Sequence, residues 1–275
     1  MDLNEYVVAI PSYKRADTLN KRTLALLQDY KIDKDRIFIF VANQEEKEIY
    51  QNTIDNYYNK IIIGEEGIKN IRNFMAEYFQ ESQHIVFIDD DIYRLEECFN
   101  FIDTTNKKHN KLQKLNNLHD FIELAFKTLI DNNLSNWGVY PVYNPYFMKT
   151  RTDNINDYTT TKLVYNIGFF TGVINCAECE VRTIDDKEDY ERSIKYYLND
   201  NGLLRFNHIT AYTRCYKESG GMQVERTIKR IHDSAVYLSD VYPELCSLNT
   251  SKKSGYSEIR LNDTRQNKCY KILNH

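Results

Sequence analysis

Four short apolar runs recur through the first ninety residues, and their spacing limits the fold more than any other feature. Tyr6-Val7-Val8-Ala9-Ile10, Ile37-Phe38-Ile39-Phe40, Ile61-Ile62-Ile63 and Ile85-Val86-Phe87-Ile88 are too short for helices and rich in β-branched and aromatic residues, so each reads as a buried strand. Segments of helical period lie between them: 17–30, with Leu19, Thr23, Leu26, Leu27 and Tyr30 on one side; 45–57; and 68–81, with Ile71, Met75, Tyr78 and Phe79. Such alternation predicts an α/β fold around a parallel, doubly wound sheet. Sheets of this kind carry ligands at the carboxyl ends of their strands. Ser12, Asn43, Gly67 and Asp89 fall at those ends, with Arg15 and Arg72 close behind.

The fourth run stops in Asp89-Asp90-Asp91 before resuming at Ile92. Adjacent carboxylates repel one another and need a counter-charge. On a strand, Asp89 and Asp91 point to one side and Asp90 to the other. Asp89 and Asp91 then form a pair able to share a hard divalent cation with the phosphate oxygens of a ligand. An acidic strand end or a helix start fits the same triplet. No Gly-x-Gly-x-x-Gly turn follows the first strand and no Walker-type lysine loop occurs, which disfavours a dinucleotide oxidoreductase and a P-loop enzyme.

Beyond Asp91 the alternation ends. Residues 100–114 are polar and predict a loop; Leu118, Phe121, Ile122, Ala125 and Leu129 form a helical stripe; 138–142, 163–174 and 205–212 predict strands. A helix opened by acids is expected over 186–198, and another from 223 to 241, between Gly220-Gly221 and Pro243.

A chain of 275 residues with 42% hydrophobic and 28% charged content can bury one sizeable core, and its 9 glycines and 4 prolines leave no low-complexity linker. Without a signal peptide or an apolar run of spanning length, a cytoplasmic protein with no membrane partner is expected. The six cysteines suit a reducing compartment; Cys176-Ala-Glu-Cys179 is a single CxxC, open to a zinc or redox reading but lacking a second pair. Net charge is −4, against indiscriminate coating of nucleic acid, but it is uneven. Seven acids face two bases over 178–191, whereas 205–231 and 249–275 each carry six bases against two acids. Those basic stretches fit a polyanion contact or a solvated face.

Ala9-Ile10-Pro11-Ser12-Tyr13-Lys14-Arg15, Gly67-Ile68-Lys69-Asn70-Ile71-Arg72-Asn73, Phe87-Ile88-Asp89-Asp90-Asp91 and Asp185-Asp186-Lys187-Glu188-Asp189-Tyr190, in that order, resemble the motifs of GT-A class nucleotide-sugar glycosyltransferases across residues 6 to 230. The Pro-Ser-Tyr-Lys-Arg opening, the Glu-Asp-Tyr before a helix and the Gly-Gly before an Arg look most like the TET-associated branch, which includes relatives of the base J glucosyltransferase and phage enzymes that decorate hydroxymethylated pyrimidines in DNA.

The resemblance implies a GT-A type fold, a mostly parallel Rossmann-like sheet flanked by helices with a carboxyl-terminal acceptor side. It implies a metal-dependent hexosyl- or pentosyltransferase using a UDP-sugar and Mn²⁺ or Mg²⁺, in the host cytoplasm if the protein is viral. Donor contacts fall to Pro11, Ser12, Tyr13, Arg15, Asn43, Gly67, Arg72, Asp89 and Asp90; metal ligation to Asp91 and Asp89, with His208 a candidate third ligand and His232 an alternative. Asp189 is implied as general base, with Glu188 and Asp186 competing, although all three also suit an acidic helix start. Acceptor contacts fall to Phe170, Thr171, Gly172 and Arg226, while Phe169 and Phe170 also suit the core. Asn43-Gln44 departs from the usual acidic residue after the second strand. The expected organisation is a nucleotide-sugar half at 1–99, an acceptor and catalytic half at 100–242, and a basic extension at 243–275. The leading expectation is transfer to a hydroxymethylated pyrimidine in DNA; a protein or glycan acceptor, or a silent nucleotide- or DNA-binding module, are the alternatives.

Overall fold

Strands β1 (Val7–Pro11), β2 (Ile37–Val41), β3 (Lys60–Ile63) and β4 (His84–Ile88) form on the four apolar runs. They belong to a computed structural model that describes residues 5–102, 105, 107–213, 227–249 and 256–264. Between these strands come α1 (Ala16–Leu19), a π-helical stretch Asn20–Leu24, α2 (Ala25–Asp29), α3 (Gln44–Thr53) and α4 (Ile68–Tyr78). The four strands pair in parallel in the order β3-β2-β1-β4. Burial on both faces is why their sequences run apolar without alternation. Within β1, Val8 and Ile10 enter one core cluster with Leu19 and Leu27, while Val7 and Ala9 enter another with Met75 of α4.

The chain continues through β5 (Ile92–Ile102), β6 (Lys108–Lys114), α5 (Leu118–Asp131), β7 (Asn136–Val139), β8 (Thr159–Thr160), β9 (Phe170–Ile174), α6 (Ala177–Glu180) and α7 (Glu188–Asp200). It ends in β10 (Leu204–Phe206), β11 (Ile209–Thr213), α8 (Ile228–Val241), β12 (Cys246–Asn249) and β13 (Glu258–Leu261). β9 lies antiparallel beside β4 with Ile88 opposite Phe170, and extends the sheet to β3-β2-β1-β4-β9-β7-β10-β8. Phe121 and Phe126 of α5 close one face; Ile194 and Tyr197 of α7 and Leu238 of α8 close the other. The expected α/β class is therefore observed: a mixed fold whose central sheet is mostly parallel and flanked by helices.

Three expected elements differ. Within the expected loop 100–114, residues 100–102 are the end of β5 and 108–114 are β6, paired in an antiparallel ladder from Glu96↔Lys114 to Ile102↔Lys108. Its outer half is exposed on both faces, so no alternation marks it in sequence. Only 170–174 of the expected 163–174 strand joins the sheet; Leu163, Val164 and Phe169 are buried without being paired there. Residues 205–212 split at Asn207-His208, with β10 in the main sheet and β11 on β5. Cys176 and Cys179 are joined as a disulfide across α6, so the zinc reading of that pair gives way. Among the described residues no helix is long and apolar enough to cross a membrane. Gly220-Gly221, the start of the helix expected from 223, and Arg226 lie outside the described residues.

Candidate active site

The acidic triplet occupies the turn between β4 and β5, so strand alternation does not set its directions. The Asp89 N–H donates to Phe169 O at 2.9 Å, and Thr23 Oγ1 donates to Asp89 O at 2.7 Å while accepting the Ile92 N–H at 3.0 Å. Held this way, the three carboxylates diverge. Asp90 turns toward β1, accepting from Ser12 Oγ at 2.6 Å and from Arg15 Nη1 at 3.3 Å. The Tyr50 hydroxyl lies 2.7 Å from Ser12 Oγ and accepts the Arg15 N–H at 3.0 Å, closing the cluster. Burial pushes Asp90 up to about 7, against the pull of Arg15 and Ser12. Asp91 Oδ2 stands 4.0 Å from Arg15 Nη1; burial and the neighbouring Asp89 raise it, while a hydrogen bond from Thr213 lowers it. Asp89 keeps 31% of its side chain exposed and pairs with Arg72.

Arg72 reaches this position because Gly67, at φ 94°, lets the chain turn into α4 one turn earlier. Arg72 is 3% exposed, and its charged neighbours are Asp89, Glu188, Arg182 and Asp189. Glu188 and Asp189 open α7, where the helix dipole favours negative charge. Glu188 is raised by burial and by Asp189, with Arg182 Nε at 3.4 Å opposing. For Asp189 burial pulls upward, but Arg192 at 3.9 Å, a hydrogen bond from Glu188, Arg72 and the Gly168 N–H outweigh it and hold the carboxyl low. Burial and charge thus divide the pair, pushing Glu188 up and holding Asp189 down. A Cβ on Gly168 would meet the Asp189 carboxylate, 3.2 Å from Cγ and closer to Oδ1. The Tyr165 hydroxyl is 3.5 Å from Asp189 Oδ2, and its ring stacks on Tyr190 at 4.1 Å.

The structure thus gathers Ser12, Arg15, Arg72, Asp89, Asp90, Asp91, Glu188 and Asp189. Pro11 ends β1 beside them. Asn43 caps α3, its Oδ1 accepting the Glu46 N–H at 2.9 Å, and the Tyr13 hydroxyl donates to Glu66 at 2.8 Å on the surface. Asp186 stands apart, accepting from Arg230 Nε at 2.5 Å and only 2% exposed. Phe170, Thr171 and Gly172 belong to the core: Phe170 packs edge-on to Trp137 at 5.3 Å, Thr171 donates to Trp137 O, and the indole fills the space over Gly172. His208 sits between β10 and β11 against Tyr158 at 4.4 Å, with burial lowering it to about 3. Its carbonyl accepts the Cys98 N–H, six residues along β5 from Ile92 and so roughly 20 Å from the triplet at ordinary strand rise. Tyr50, Thr23, Tyr165, Gly168, Arg182 and Arg192 join the site without having been singled out in sequence; only Arg182, set among the seven acids of 178–191, and Arg192 directly after them carried a local signal.

Among the described residues no three His, Cys, Asp or Glu side chains gather to hold a metal by themselves. Asp89 and Asp91 are the two carboxyl groups of the triplet not turned onto Ser12, and a cation between them would need phosphate and water oxygens to complete its shell.

No family model and no curated protein matches the chain. Solved structures similar to it include one described as a mycobacterial protein (10% identity, 95% of this chain and 87% of that one, TM-score 0.47). Another is glucosyl-3-phosphoglycerate synthase from Mycobacterium tuberculosis in complex with Mn²⁺, UDP and glucosyl-3-phosphoglycerate (9%, 94% and 87%, TM-score 0.46). A third is CMP:2-keto-3-deoxy-manno-octonic acid synthetase complexed with CTP (9%, 74% and 89%, TM-score 0.40). At this level the likeness is one of fold, and no residue role is carried over from it.

Proposed function

We propose that the protein is a glycosyltransferase that moves a sugar from a UDP-sugar to an acceptor hydroxyl, with Mn²⁺ or Mg²⁺ held by Asp89 and Asp91 against the donor diphosphate. The observation that carries this reading is the position of Arg72 between Asp89 on one side and the Glu188–Asp189 pair on the other. Donor charge and an ionised carboxylate thereby share one buried cation. Asp189 takes the proton of the acceptor hydroxyl as its oxygen attacks the anomeric carbon and the bond to UDP breaks. In this reading Glu188, pushed up by burial and by Asp189, keeps its proton, donates it to Asp189 as a hydrogen bond and does not compete for the acceptor's proton. Arg72 supplies a planar, permanently charged fork for the diphosphate. The cation, when bound, neutralises charge on the departing diphosphate. Ser12, Arg15 and Asn43 border the nucleotide at the same sheet edge.

For the acceptor we take a hydroxymethylated pyrimidine in DNA, supported by the likeness of the sequence to the TET-associated branch. The test is incubation with labelled UDP-sugars and Mn²⁺ in the presence of hydroxymethylcytosine DNA, a protein or a glycan. Metal-dependent labelling of the DNA that is lost in Asp91→Ala is the expected result. Labelling of protein or glycan alone would replace the acceptor, and absence of any sugar-nucleotide turnover would leave only a nucleotide- or DNA-binding module.

A further inference from the structure

The small sheet that begins where the acidic triplet ends has no part in the chemistry above, yet its surface has a definite character. The segment 140–152 lies across the β5–β6 hairpin and is fastened to it: Asn110 Nδ2 donates to Pro145 O at 3.0 Å and Met148 O at 3.2 Å, and Asn100 Nδ2 to Thr150 Oγ1 at 2.9 Å. Fastened in this way, the segment holds rings out into solvent. Tyr146 is 80% exposed and Phe147 60%, packed edge-on at 4.9 Å. Lysines on an edge strand can serve merely to block strand pairing, but that purpose does not call for exposed, pre-positioned aromatics. A groove of about 380 Å³ runs between strand and segment, lined by Lys108, His109, Asn110, Asn144, Pro145 and Tyr146.

The charge of this face is opposite to that of the chain. β6 carries Lys108, Lys111 and Lys114 and no acid, and 140–152 carries Lys149 and Arg151 and no acid, in a protein of net charge −4. A polyanion repelled by the whole is attracted here. Closer to the triplet the rings continue, with Arg94 over Tyr212 at 4.8 Å and Tyr143 against Tyr212 at 4.9 Å, while Glu96 there pairs with Arg94 and accepts from the Tyr143 hydroxyl. β5 spans the eleven residues from Ile92 to Ile102, about 35 Å of continuous strand leading away from Asp91. Exposed rings beside a basic groove are the combination that binds single-stranded nucleic acid, with bases stacked on aromatics and phosphates on cations.

We infer that the β5–β6 hairpin and the segment 140–152 form a single-stranded DNA-binding surface, with phosphates on Lys108 and Lys149 and unstacked bases on Tyr146 and Phe147, leading the strand toward the acidic triplet. The direction of the strand rests on the function proposed above; the binding surface does not.

The experiment is fluorescence anisotropy of the full-length protein with a labelled oligothymidine and with the same length of duplex, over a series of salt concentrations. Tyr146→Ala/Phe147→Ala is expected to weaken single-strand binding at least tenfold. Lys108→Glu/Lys149→Glu is expected to weaken it similarly and to lower the slope of log K against log salt by about one per lysine. A charge-matched control, Lys127→Glu/Lys229→Glu on α5 and α8, should stay within about twofold of wild type. Wild type that binds no oligonucleotide at low salt, as a protein-docking face would, overturns the inference. So does loss no greater than the control's, or equal dependence of single strand and duplex on the two rings. Thermal shift by UDP with Mn²⁺, read on the same samples, separates the two claims: it should persist in every variant, and its absence from wild type would refute the donor assignment while leaving the DNA result intact.

Discussion

Arg72 and Asp89 form the ion pair at which the two halves of the site meet. They stand seventeen positions apart, one at the start of the second turn of α4 and the other just past β4, and the arginine is nearly buried while the aspartate is a third exposed. The guanidinium also faces Glu188 and Asp189. Removing it in Arg72→Ala leaves three carboxyl groups with one fewer counter-charge. We expect a stability loss of about 2 kcal/mol, below that of a fully buried pair because water reaches Asp89, measured by urea denaturation. Arg72→Lys should recover most of that stability while still binding UDP about tenfold more weakly, because a point charge cannot replace the planar fork.

The Glu188–Asp189 pair makes an unequal prediction for two similar substitutions. Asp189→Asn removes the proton acceptor and should lower kcat by about 10²–10⁴, with UDP binding retained. Glu188→Gln keeps a donor toward Asp189 and should cost less than tenfold. Equal losses in the two variants, in a single-turnover transfer assay, would contradict the assignment of proton positions.

Gly168 offers a test by geometry alone. Its N–H supports Asp189 and an added methyl would press on the same carboxylate. Gly168→Ala should therefore shift Asp189 and lower kcat by about a hundredfold, leaving the UDP-induced rise in Tm within a degree of that of wild type.

His208 predicts a pH effect remote from the chemistry. Burial lowers its pKa to about 3 in the folded chain, against the ordinary value of 6.5. Between those values the unfolded chain binds the proton and the folded one does not. The stability contributed by neutral His208 is complete above pH 6.5 and is lost as pH falls toward 3, at up to about 1.4 kcal/mol per pH unit. In His208→Gln the difference from wild type should shrink in that window and be constant above it. A difference independent of pH would show that the imidazole is not held neutral.

The parallel half of the sheet was legible in the sequence because β1, β2 and β4 are buried on both faces and their apolar runs have no alternative use. The β5–β6 hairpin was not, because Lys108, Asn110 and Lys114 stand in a ladder exposed to water, where neither face needs an apolar pattern. The break at Asn207-His208 was hidden for another reason: Phe206 and Ile209 on either side of it, and the two polar residues themselves, are all buried, so nothing marks the point where the chain changes sheets. Asp89, Asp91 and Asp189 could be singled out as charges clustered against expectation. Their partners could not, since Tyr50 reaches Ser12 across 38 residues and Thr23 reaches Asp89 across 66. Phe170, Thr171 and Gly172 show the converse: residues beside a motif in sequence point into the core against Trp137.

Thermal unfolding with UDP, in the presence of Mn²⁺ or of a chelator, tests most directly whether Asp89 and Asp91 hold a cation against a nucleotide diphosphate. A ligand at a hundred times its Kd adds about 2.7 kcal/mol to the folded state, which is several degrees in Tm for a chain of this size. The account predicts that shift with UDP and Mn²⁺ together, its loss on chelation, and its loss in Asp91→Ala. A wild-type Tm unmoved by UDP with Mn²⁺, or a shift that survives intact in Asp91→Ala, would contradict it.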